Sequence, residues 1–181
     1  MSVQLVPLSS AFREAIDALQ DDPDVQAFTR FPVPREADFA DGFVARYEAG
    51  LVDGTRAGFA ALDEHGVFLG LGLAPFINEE EGEMEIGYAV APSARGAGVG
   101  SEILRLMSEW AFAERAMQRL VLVINVRNRP SQRIADRCGF VLEGVMRSIH
   151  SRPGMRIDAQ MWSRLPTDPV RVTGLPLNEV S

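Results

Sequence analysis

Residues 83–126 read as a strand, a glycine-paved turn, a helix and a second strand with almost nothing between them. That run most constrains what the chain can fold into. "GEMEIGYAVAP" is strand-like and leads directly into "SARGAGVG". "SEILRLMSEWAFAERAM" places Ile103, Leu106, Met107, Trp110 and Ala113 or Ala116 on one helical face. "RLVLVINV" is the continuous apolar run expected of a central strand buried on both faces. A strand–turn–helix–strand unit of this kind requires a sheet with a crossover at the glycine turn.

The remaining segments add to that sheet. Val3–Pro7 predicts a first strand, and "SSAFREAIDALQDDP" a helix with Phe12, Ile16 and Leu19 on one face, stopped at Pro23. A loop and a second helix, with Phe39, Phe43 and Tyr47 at i, i+4 and i+8, end at Gly50. "TRAGFAALDEHGVFLGLGLAPFI" is a hairpin turning at Asp63–Gly66. "PSQRIADRC" predicts a short helix ended by Gly139, and "FVLEGVMRS" and "RIDAQMWSRL" two last strands. The order is β-αα-βββ-α-β-α-ββ. It predicts an α/β (α+β) protein with a mixed sheet, in one domain over residues 1–165 with an extended tail at 166–181.

Composition excludes several chemistries. The net charge of −7 argues against nucleic acid and is compatible with a basic or amine-bearing partner. All 18 basic residues are arginine, so a P-loop lysine, a lysine Schiff base and a lysine base are excluded together. Cys138 is the single cysteine, which excludes an internal disulfide and suits a reducing compartment. His65 and His150 show no ligand spacing, and no metal is expected. Apolar runs are strand-sized, and "MSVQLVPLSS" has neither basic flank nor h-region, so a cytoplasmic protein with no membrane partner is predicted.

The turn itself, Arg95-Gly96-Ala97-Gly98-Val99-Gly100-Ser101, fits no dinucleotide fingerprint, because Ser101 and Ile103 stand where a third glycine is needed. Glycines let backbone approach an anion, and the free N–H groups of a helix start point at it. Arg95 offers a charged fork. A tight strand–helix connection that merely relieves packing is the competing reading.

"EIGYAVAPSARGAGVGSEIL" resembles the acetyl-coenzyme A motif of the GNAT N-acetyltransferases, and "NRPSQRIADRCGFVLEG" resembles the N-x-x-S…GF…EG signature of the RimJ/RimL-type ribosomal-protein N-acetyltransferases. The resemblance covers most of residues 3–165 and is weakest before about residue 50. It implies the GNAT fold, a mixed and mostly antiparallel sheet of about seven strands flanked by helices. It also implies acetyl-CoA as co-substrate, with its pyrophosphate on the turn. Its pantetheine arm would lie against the backbone of Tyr88, Ala89, Val90 and Ala91, with the Val90 N–H toward the thioester carbonyl. Asn128 would contact that arm, and Ser131 would stand near the thioester sulfur as a general acid. Many relatives place a tyrosine where this chain has Ala135, so the resemblance leaves Ser131 or a water for that task.

Two residues can be argued from pattern alone. Glu85 is a carboxylate on an otherwise apolar strand, which asks for a partner or a task as a base; a solvated strand end is the alternative. Ser131 also reads as the N-cap of the helix in "QRIADRC". Asp158 matches a last-strand aspartate of the subfamily, in substrate contact or in structure. The expected function is acetyl transfer to a primary amine, a protein N-terminus or a small amine, by a monomer or homodimer. A non-catalytic acyl-CoA-binding domain on the same scaffold is the alternative.

Overall fold

A computed structural model describes residues 2–152 and 154–169. Seven strands form one sheet: β1 Gln4–Pro7, β2 Ala57–Leu62, β3 Phe68–Asn78, β4 Glu83–Val90, β5 Arg119–Asn125, β6 Val141–Arg152 and β7 Met155–Arg164. Their order is β1-β2-β3-β4-β5-β7-β6, and every pairing is antiparallel except β4 with β5. The helices are α1 Arg13–Gln20, α2 Pro23–Phe28, α3 Phe39–Asp53, α4 Val99–Ala113 and α5 Arg129–Arg137, with single 3-10 turns at Ser10–Phe12 and Pro92–Ala94. Among the described residues, no helix is long and apolar enough to cross a membrane. Of the tail expected at 166–181, residues 170–181 lie outside the described residues.

Sheet alternation decides which helix covers which face. Phe59 and Gly72 are register partners; Phe59 meets Trp110 edge-on at 5.0 Å, and Gly72 backs onto Met107 and Ile103 of α4. The neighbouring Gly58 turns the other way, onto Tyr47 of α3. So α3 and α4 cover opposite faces, and the two glycines let helices lie close to the sheet.

The structure departs from the sequence reading at helix ends and faces. Pro23 does not stop α1; it opens α2, whose N-cap Asp22 accepts the Val25 N–H at 2.9 Å. Proline suits the first helical position because its missing N–H would go unbonded there anyway. The third helix runs past Gly50 to Asp53 and ends at Gly54 in the left-handed region, φ 80°. Gly50 instead makes room for the chain's return, since a Cβ there would lie 2.5 Å from Arg56 Cβ. Helix α4 begins at Val99, ahead of Ser101, and buries Ile103, Leu104, Met107, Ser108 and Ala111. Leu106 and Trp110 flank that stripe, half-buried, and Ala116 lies beyond the helix.

One ion-pair chain ties four strands together. From β5, Arg119 donates to Glu83 of β4 at 2.9 Å and, through both terminal nitrogens, to Glu143 of β6 at 2.6 and 2.7 Å. Ser163 of β7 donates to the same Glu143 at 2.6 Å. Arg119, and after it Ser163, hold the Glu143 carboxyl down at about 2, against an ordinary 4.5. A depressed carboxyl stabilises the fold above its unfolded pKa and loses that contribution as pH falls through the folded one. The stability gap between the protein and Glu143→Gln should therefore be constant above about pH 4.5 and close between there and pH 2. Urea midpoints measured across that range check it. A gap that does not change would remove Glu143 from the acid response. The side chain is 37% exposed, which keeps the expected gap small.

Candidate active site

The parallel pairing of β4 with β5 covers only Glu83↔Arg119, Met84↔Leu120 and Glu85↔Val121. Beyond Glu85 the strands diverge. Each keeps its ladder on the outer side, β4 to β3 through Val90 and β5 to β7 through Asn125. The facing edges of residues 86–90 and 122–125 therefore share no ladder. A one-residue register shift in β3, between Leu73 and Phe76, bends the sheet beside the point of divergence. The gap opens into a cavity of about 1060 Å³ lined by Gly87, Tyr88, Ala89 and Val90 on one side and Leu122–Asn125 on the other.

The glycine turn closes one end. Gly96 and Gly98 have φ of 79° and 84°, a region that side chains strain to adopt. A Cβ at either would meet nothing within 4 Å, so the need for glycine is conformational and the space before them is open. Gly98 is the N-cap of α4. Val99 is 1% exposed and pins the helix start in the core. The first intrahelical bond is donated by Glu102, to Gly98. The amides of Val99, Gly100 and Ser101 thus form the unpaired N-terminus of a fifteen-residue helix.

Gly100 differs from its two neighbours. A Cβ there would stand 3.1 Å from Tyr88 Cε2 and from Ile134 Cδ1, so this glycine brings α4 against β4 and α5. Of the turn and strand residues expected at a cofactor, Ala91 and Ala97 do not line the cavity; the others do. The side chain of Arg95 is not free to act as an anion fork. It bridges Asp22 (2.6 and 3.2 Å) and Asp24 (2.9 Å) at the start of α2.

The tip of α5 enters the opposite wall. Its N-cap is Asn128, whose Oδ1 accepts the Ser131 N–H at 3.2 Å. Ser131 is therefore not the cap that its position in "NRPSQ" suggests. Its hydroxyl instead shares a 2.7 Å hydrogen bond with the phenol of Tyr88, from β4. Burial pushes the Tyr88 phenol well above its ordinary 10, and the Ser131 bond opposes that only in part.

Glu85 stands at the point of divergence. Its side chain is 22% exposed, and Oε1 accepts from Arg30 Nη2 at 2.7 Å, so it is neither a bare strand end nor a free carboxylate. Tyr47 of α3 lies beside it, with its hydroxyl pushed up to about 12, first by burial, while Arg46, Arg56 and Arg30 pull it down and Glu85 adds to the rise. Asp158, left open between contact and structure, accepts the Ser148 N–H at 2.7 Å. Ser148 has φ 58°, and the bond holds the irregularity of β6 between Met146 and His150. Tyr47 and the arginines were not singled out from sequence, because helical spacing made Tyr47 a core residue and nothing local marked Arg30, Arg46 or Arg56.

Comparison with known proteins agrees with this geometry. The profile described as "Acetyltransferase (GNAT) domain" matches residues 3–141. The uncharacterised N-acetyltransferase p20 of Bacillus licheniformis is 29% identical over 89 residues, 49% of this chain and 50% of that protein. The chain spans about half the length of the curated relatives it matches. Among solved structures, RimL, a ribosomal L7/L12 α-N-protein acetyltransferase in complex with coenzyme A, superimposes with a TM-score of 0.82 at 21% identity, covering 91% of this chain and 94% of that one. Spermidine N-acetyltransferase of Vibrio cholerae, in complex with CoA and spermine, gives a TM-score of 0.81 at 20% identity, covering 92% and 96%. At such identity the likeness is one of fold.

Proposed function

From the premise that this chain belongs to the acetyltransferase (GNAT) domain family, we propose that it transfers acetyl from acetyl-CoA to a primary amine, with the α-amine of a polypeptide as acceptor. The observation that carries the reading is the divergence of β4 from β5, which opens at Glu85 a cleft that the Gly96–Ser101 turn also lines. An extended chain with amide groups fits unpaired strand edges, and a pyrophosphate fits unpaired helix amides. Both are parts of one molecule, coenzyme A.

The residues divide the work as follows. Gly96, Gly98, Val99, Gly100 and Ser101 hold phosphate oxygens by backbone N–H groups, while Tyr88 and Val90, on either side of an Ala89 whose backbone faces β3, pair the arm along the β4 edge. Asn128 holds the start of α5 in place, which fixes Ser131 in the wall. Acetyl-CoA supplies the acetyl group as an activated thioester. Much of the rate comes from holding amine and thioester together, up to about 7–11 kcal/mol in well-aligned cases.

Attack by the amine leaves a proton on nitrogen and negative charge on oxygen and then sulfur. In this reading the Val90 N–H meets the oxygen, and Glu85 takes the nitrogen's proton directly or through water. Tyr88 and Ser131 act as one unit at the sulfur. A thiol has a pKa of about 8.5, below that of the Tyr88 phenol. The pair therefore donates a hydrogen bond to the departing thiolate, whose proton comes in the end from the amine.

The test is release of free thiol on mixing protein, acetyl-CoA and a panel of amines. Release that depends on both protein and amine is expected, with mass spectrometry placing the acetyl group on the α-amine of a peptide. Acetyl-CoA binding without release by any amine would make the chain a binding domain. Acetylation confined to lysine side chains would overturn the α-amine assignment and leave the transferase reading in place.

A further inference from the structure

The end of the cleft away from the glycine turn is cationic, in a chain that is acidic overall at −7. Around Glu85 it is lined by Arg30, Arg46, Arg56 and Arg152, and Glu85 is the only carboxylate lining that end among the described residues. Arg30 is matched by Glu85. Arg152 donates to the Phe31 carbonyl at 3.1 Å, a backbone contact that leaves its charge uncompensated. Arg46 lies over the Phe43 ring, 5.8 Å from its centroid, and among the described residues neither Arg46 nor Arg56 forms an ion pair, although Arg56 acts at longer range on the exposed Asp53, which does not line the cleft.

Groups on neighbouring elements do not neutralise that end by direct pairing. Burial, and after it Arg30, Arg152 and Arg156, hold His150 of β6 below its ordinary pKa and so neutral near pH 7. Glu36 and Asp38 stand outside, on a groove shared with Arg30 and Arg46, and pair with neither. Among the described residues that line it, this end thus carries four guanidiniums against one carboxylate.

We infer that the acceptor carries a carboxylate close to its amine, as in an acidic amino acid or a polypeptide with acidic first residues, and that polycationic amines are excluded. The inference rests on the acetyltransferase reading of this cleft. A guanidinium matches a carboxylate in a bidentate fork, and unmatched guanidiniums in a partly closed cleft repel an acceptor with no anion of its own. The same field favours the neutral, nucleophilic form of the bound amine, since nearby like charge disfavours the ammonium. An amine with its own carboxylate thus enters the cleft by attraction and is deprotonated by its surroundings. Polyamines lack the attraction and are repelled at entry.

Thiol release tests this with peptides of one length beginning Ser-Glu-Asp, Ser-Ala-Ala and Ser-Arg-Arg, with free glutamate, and with spermidine. An acidic acceptor is expected to exceed the neutral peptide in kcat/KM by about tenfold and the basic ones by about a hundredfold, the gap narrowing with added salt. Whether glutamate or the acidic peptide leads tells a small-molecule acceptor from a polypeptide one, and either supports the inference. Arg46→Glu should cut the acidic-to-neutral ratio by about tenfold, and because Arg46 is exposed the variant stays folded. Equal rates with acidic and neutral peptides, or preference for spermidine or Ser-Arg-Arg, would overturn the inference and leave the transferase standing. No release with any acceptor would overturn the transferase reading, and this one with it.

Discussion

Gly98→Val is expected to weaken acetyl-CoA binding by tenfold or more while the protein stays folded. At φ 84° a β-branched residue costs about 1–3 kcal/mol, and the chain relieves that strain by turning the 97–98 peptide. Nothing within 4 Å of the new Cβ resists the rearrangement, so the fold survives it. What changes is the direction of the Gly98 N–H at the head of α4, and with it the phosphate site. Each tenfold in affinity is about 1.4 kcal/mol, within the strain to be relieved. Gly100→Val should behave differently. Its side chain meets Tyr88 and Ile134, so overpacking of about 1–3 kcal/mol is expected in thermal stability. Calorimetric titration and a melting curve on the two variants separate these effects. Unchanged affinity in Gly98→Val would leave the turn a connection and nothing more.

Tyr88→Phe and Ser131→Ala are each expected to lower kcat by about 10–100-fold, with the KM for acetyl-CoA within a fewfold of its original value. The two hydroxyls share a single 2.7 Å bond, so removing both should cost little more than removing the worse one. That non-additivity separates a joint role at the sulfur from two independent structural ones. Stability should fall by only about 1 kcal/mol in either variant, the cost of leaving one buried hydroxyl unpaired. Full additivity in kcat, or loss of stability alone, would return the pair to the structure of the α5–β4 contact.

Much of the fold could be read from local pattern, because alternation and helical spacing are local properties. The strand into the glycine turn, the hairpin at Asp63–Gly66 and the last two strands needed only their own residues. Pro23 was misread because proline both ends and begins helices, and the Asp22 cap that decides between them is a side-chain contact. On α4 the expected face holds at Ile103 and Met107, which pack under Gly72, but Leu104, Ser108 and Ala111 are buried on the side away from Leu106 and Trp110, and a small serine or alanine gives no local sign of that. Within the site, Ser131 looked like a cap because Asn128 and Ser131 are both good caps, and only the geometry of the turn chooses. Its partner Tyr88 lies 43 residues away in sequence. The arginines of the acceptor end come from the loop after α2, from α3, from the approach to β2 and from β6, so no window of sequence contains them.

The divergence of β4 from β5 also bears on solubility. A sheet normally has two edges, here β1 and β6, and unpaired strand edges invite other chains to add on. This sheet has two more in its interior, along residues 86–90 and 122–125. They are safe for a geometric reason. They share a closed end at Glu85 and spread apart from it, so a straight strand cannot pair with both along its length. The N-terminus of α5 and the glycine turn also line the gap. The protein can therefore keep a length of unpaired backbone at its centre for a ligand, without offering a neighbouring molecule a template for aggregation.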